Sequence, residues 1–167
     1  MEISAFATLV IPFIVLIYII VVTFMHLPKA VIIASLTGGL IMGIINALFD
    51  LLAYYAHWWH YTLNGLLLHL PLPFYITPFL IYGGIGYLVI WRLWRGRYHW
   101  IALLLLFGIP LFRAASDILG AFQHTSYATF DSSLAAPMTV VMWLLMFFVG
   151  YGVFRLLAPT HKSVVPV

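Results

Sequence analysis

Apolar residues run almost unbroken over five stretches, at about 3–25, 30–56, 74–94, 100–122 and 135–158, and polar residues collect between them. A helix needs roughly 20 mostly apolar residues to cross a bilayer, and each stretch is that long. The breaks are ones that end helices. Pro28 and Lys29 close the first stretch, and Asn64-Gly65 with Pro71 and Pro73 separates the second from the third. RLWRGRYH follows the third, QHTSYATFDSS divides the fourth from the fifth, and Pro159 stops the last. The pattern predicts an all-α integral membrane protein. It is a single bundle of five transmembrane helices over 1–158, with a short tail over 159–167.

Composition agrees. The chain is 65% hydrophobic and 7% charged, against about 25% charged in an ordinary soluble domain. The net charge of +3 is not gathered into a basic patch, so no nucleic-acid partner is expected. There is no cysteine, which excludes disulfides, thiol chemistry and cysteine-zinc sites. The opening MEISAFATLVIPF carries an acid where a signal peptide carries bases, so the first apolar run is expected to be a retained helix.

The basic residues change the picture by giving it a direction. Lys29 falls between spans one and two, and Arg92, Arg95 and Arg97 fall around the break between three and four. Arg155 and Lys162 lie at the C-terminal end, while loops 57–73 and 123–134 hold no Lys or Arg. The positive-inside rule then places the N-terminus outside and the C-terminus inside, in the plasma membrane of a prokaryote. In span two, Ser35, Gly39, Gly43 and Ala47 recur every four residues as a stripe of small side chains. Such a stripe lets backbones approach closely, either inside the bundle or at a homo-oligomer seam.

Three charged residues lie inside apolar stretches, where each costs about 2.5–3.5 kcal/mol on insertion scales. These are Asp50, Arg113 and Asp117. At ~1.5 Å rise per residue all three fall in the outer third of the membrane. Arg113 and Asp117 are one turn apart and can pair, and Asp50 could reach the same guanidinium from span two. This triad would lock two helices together, form the floor of a ligand site, or begin an ion path. The inner halves of the spans are too apolar to favour the path.

Behind Asp50 comes LLAYYAHWWHY. Tyr54, Tyr55, Trp58, Trp59 and Tyr61 read as an interfacial belt or as the walls of an apolar pocket. His57, His60, His69 and His124 share the outer side. They read as interfacial histidines; no dense ligand motif supports a metal or haem, so no metal residues are assigned. The loop 57–73 is too apolar to be free, with Leu66, Leu67, Leu68, Leu70 and Leu72, and should lie along the interface or fold back over the bundle.

Residues 50–82 resemble the integral-membrane lycopene cyclase domain family. That family's motif is an aspartate, a tryptophan nine residues on and an aromatic two further, then Leu-Pro-x-Glu-Glu after a loop and a proline beyond. Asp50, Trp59 and Tyr61 match the first part, and Leu70, Pro71 and Pro78 the second. The resemblance implies an apolar site of isoprenoid size. It does not extend to cyclase activity, because Pro73 and Phe74 stand where the glutamate pair would deliver a proton. The five-span, aromatic-rich plan is also similar in architecture to the tryptophan-rich sensory protein family, whose motifs are absent.

The expected function is therefore binding of an apolar ligand, isoprenoid, carotenoid or lipid-like, in an outer-leaflet aromatic pocket. Asp50, Tyr54, Trp59, Tyr61, Arg113 and Asp117 are its candidate residues, and a bound carotenoid or lipid is the candidate cofactor. A structural subunit of a larger membrane complex, and a membrane enzyme or small transporter component using Asp50 or Asp117, are the alternatives.

Overall fold

A computed structural model of the protein describes residues 3–94, 96–125 and 127–159. Among these residues, five helices are long and apolar enough to cross a membrane. They are α1 (Ile3–Met25), α2 (Lys29–Tyr55), α3 (Leu72–Trp94), α4 (His99–Phe122) and α5 (Ala135–Leu157). Their ends fall within about two residues of the boundaries read from the apolar pattern. Of the tail expected over 159–167, only Pro159 lies inside the described residues.

The helices are not uniform. Residues Phe6–Val10 in α1 and Thr77–Ile85 in α3 are wound wide, with π-helical turns, and α3 opens on a tight 3-10 turn at Leu72–Tyr75. Wide π turns within helices occur frequently at functional sites. In α3 the proline at Pro78 lacks an N–H and sits inside this stretch.

Helix α2 is the axis of the bundle, packing most heavily on α5 and α3. Glycines make this possible on two faces. A Cβ on Gly39 would run into the carbonyl of Phe79 in α3, and one on Gly38 would lie 2.6 Å from the carbonyl of Gly150 in α5. Gly83 meets the backbone of Gly39 in return. Gly39 and Gly43 of the small-residue stripe thus serve contacts inside the bundle. Ser35 at its foot donates to Ile32 O, leaving its oxygen to accept from Tyr18 of α1 at 2.9 Å. Tyr87 of α3 is wholly buried between α2 and α5 and donates to Phe147 O at 2.8 Å.

The all-α expectation needs one correction. The two loops without basic residues meet as an antiparallel ribbon, β1 (Trp59–Tyr61) and β2 (Ala128–Phe130), with Trp59 opposite Phe130 and Tyr61 opposite Ala128. The ladder continues past both ends, from Thr62 N–H to Tyr127 O and from Asp131 N–H to Trp58 O. Strands of three residues are too short to display an alternating pattern in the sequence. Of the loop 57–73, expected to lie along the interface or to fold back over the bundle, Trp59–Tyr61 form half of this ribbon, while Leu67 and Leu68 are exposed.

The chain reaches the ribbon through two matching helix ends. After α2, His57 adopts φ 54°, its N–H bonds Tyr54 O and the next N–H, of Trp58, bonds Ala53 O. After α4, His124 also adopts φ 54°, with His124 N–H to Ala121 O and Thr125 N–H to Gly120 O. Each is a Schellman cap with histidine in the left-handed position that glycine usually takes. Of the four histidines on this side, His57 and His124 cap helices and His69 also takes left-handed backbone, at φ 65°.

Candidate functional site

A cavity of about 230 Å³ lies beneath the ribbon, bounded by all five helices. Strand alternation supplies its roof: Trp59 and Tyr61 from β1, Ala128 and Phe130 from β2, all line it, while His60 and Thr129 do not. His60 instead donates from Nδ1 to both oxygens of Asp131 at 2.9 Å, on the exposed side. The wide turns supply further wall residues: Phe6 from α1, and Thr77, Pro78 and Tyr82 from α3.

Asp50 is 2% exposed and is the hub of one wall. Trp59 Nε1–H donates to its Oδ1 at 3.0 Å, and the hydroxyls of Tyr61 and Tyr75 donate to its Oδ2 at 2.9 and 2.8 Å. Three donors from β1 and α3 thus converge on one carboxylate of α2. Burial, with the Asp50 carboxylate beside it, pushes the Tyr61 phenol far above its usual range, so it remains a donor. The spacing of nine and eleven residues from Asp50 is what lets a helix end, a cap and a short strand return these two rings to the same side chain.

Arg113 and Asp117 form the opposite pole. Arg113 Nη2 donates to Asp117 Oδ1 at 2.6 Å, and Trp143 Nε1 of α5 donates to Asp117 Oδ2 at 2.7 Å. The Arg113 guanidinium lies 5.4 Å from the Tyr82 ring centre and 5.3 Å from that of Trp143, a distance at which cation–π attraction acts. Its Nε is buried with no partner among the described residues.

The expected triad is corrected by this geometry. Asp50, Arg113 and Asp117 line one cavity, but Asp50 makes no ion pair with Arg113. Its acceptor positions are filled by ring donors, and the guanidinium is engaged by Asp117 and two aromatic faces. Tyr54 is corrected too: it does not line the cavity, and its ring stacks on His69 at 3.9 Å. Tyr55 is 69% exposed and Trp58 packs on Phe49, so the aromatic block divides between surface and cavity. No group of three or more His, Asp or Glu among the described residues could hold a metal ion.

Sequence reasoning missed Tyr75, Trp143 and Asn46. Asn46 had a signal: it is a polar side chain in an apolar span, one turn before Asp50 and on its face. Tyr75 and Trp143 had none, since each is one ring among many. Phe74, where the resemblance to the cyclase domain would place a glutamate, lines the cavity and packs on Phe6 at 4.2 Å. Comparison with protein-family models, with curated proteins and with solved structures finds no match to this chain.

Proposed function

We propose that this protein lies in the membrane and holds one end of an apolar, chain-like molecule, isoprenoid, carotenoid or lipid-like, in the cavity beneath the ribbon. One observation carries the reading. Nine aromatic rings and the side chains of Asn46, Arg113 and Asp117 converge on one cavity at one end of a bundle whose helices expose many large apolar side chains. Ring-walled cavities with a few placed polar groups are the common form of small-molecule sites. The volume narrows the choice. A cavity of about 150 Å³ takes one benzene, so this one accommodates the end of a chain, and the remainder would lie between helices in the bilayer. The ribbon then faces the outer side, because Lys29, Arg92, Arg97 and Arg155 lie near helix ends away from it.

Gentle extraction followed by mass spectrometry and visible absorption tests this reading. An apolar molecule should co-purify in near-equal amount with the protein and be enriched over the membrane as a whole. Recovery of bulk lipids only, in membrane proportions, would count against it.

A further inference from the structure

Most polar groups on the cavity wall are satisfied by the fold itself. Asp50 accepts from three donors and Asp117 from two, and Thr139 donates to Ala135 O. Asn46 is different. It is 7% exposed, it lines the cavity, and its amide makes no hydrogen bond with any described residue. An amide offers two donors and an acceptor, and leaving them without partners in a dry site is unfavourable.

Each class of ligand end meets this wall differently. A hydrocarbon end would strip water from the Asn46 amide and offer nothing in exchange. An anionic head would meet two carboxylates and only one guanidinium, of which Nη2 is paired with Asp117 and Nε alone is buried without a partner among the described residues. A cationic head would compete with Arg113, which already occupies the faces of Tyr82 and Trp143. A neutral group that both donates and accepts matches the amide and disturbs neither carboxylate. Resting on the ligand-binding reading above, we infer that the cavity takes a chain ending in a neutral oxygen group, a hydroxyl, hydrogen-bonded to the side-chain amide of Asn46.

The test uses the full chain in nanodiscs and tritiated geranylgeraniol, displaced by the unlabelled alcohol, the hydrocarbon of the same chain, its diphosphate, and its trimethylammonium analogue. The alcohol should displace best, by about tenfold over the hydrocarbon, the size of one unmade hydrogen bond in a buried site. Asn46→Leu should erase most of that preference while hydrocarbon binding persists or tightens. Equal displacement by alcohol and hydrocarbon, or stronger displacement by the diphosphate or the ammonium compound, overturns the inference and leaves the ligand-binding reading standing. Binding of none of the probes overturns both. If Asn46→Leu fails to fold, the wild-type order of displacement still decides.

Discussion

Asp50 is kept in an apolar helix because it ties three elements together. Its carboxylate receives Trp59, Tyr61 and Tyr75, and no neutral side chain of that size accepts three donors equally well. Asp50→Asn replaces one acceptor oxygen with a donor, so at least one ring donor loses its partner. The change should lower stability by about 1–3 kcal/mol. Trp59→Phe, which removes only the indole N–H, should cost somewhat less. In a double-mutant cycle the two should couple by about 1 kcal/mol or more, measured by thermal unfolding in one detergent, and simple additivity would contradict the direct bond. That Asp50 needs partners was legible in the sequence, since a charge in hydrocarbon requires compensation. The partner was not. One-dimensional depth placed Arg113 at a similar level, but only the fold shows that ring donors reach Asp50 and that Arg113 turns to Asp117, Tyr82 and Trp143.

The elements themselves were largely readable, because a spanning helix is a length of apolar residues with a break at each end. The ribbon was not, since it depends on pairing between residues about 70 apart in the chain with only three on each strand. Its entry points are the caps at His57 and His124, both left-handed. Left-handed backbone costs a β-branched residue about 1–2 kcal/mol and glycine almost nothing. His57→Gly and His124→Gly should therefore match or exceed wild-type thermal stability, whereas His57→Val and His124→Val should fall below it. If glycine at either position is as harmful as valine, the imidazole has a role beyond the cap. The glycine contacts of α2 make a sharper claim. Any side chain at Gly39 must displace the backbone of α3, so Gly39→Val should cost more than about 3 kcal/mol and abolish folded protein on size-exclusion chromatography. Gly108, which meets nothing nearby, should accept alanine with little change.

On the scale of the whole molecule, the bundle has an aromatic, polar-lined end under the ribbon and a basic end opposite. If the bundle lies in the membrane as proposed, the positive-inside rule predicts a cytoplasmic C-terminus. A C-terminal fluorescent reporter should be bright and a C-terminal alkaline phosphatase silent; active phosphatase would reverse the assignment. The proposed ligand site is the cavity under the ribbon, and strand alternation gives a direct test of it. Ala128 lines the cavity from β2, and Thr129, next to it, does not. Tryptophan at either position adds the same bulk to the same ribbon. The measurement is native mass spectrometry of gently extracted wild type, Ala128→Trp and Thr129→Trp. The account predicts that an apolar molecule stays bound to the wild type and to Thr129→Trp and is lost from Ala128→Trp. Retention by Ala128→Trp at the wild-type level would contradict it.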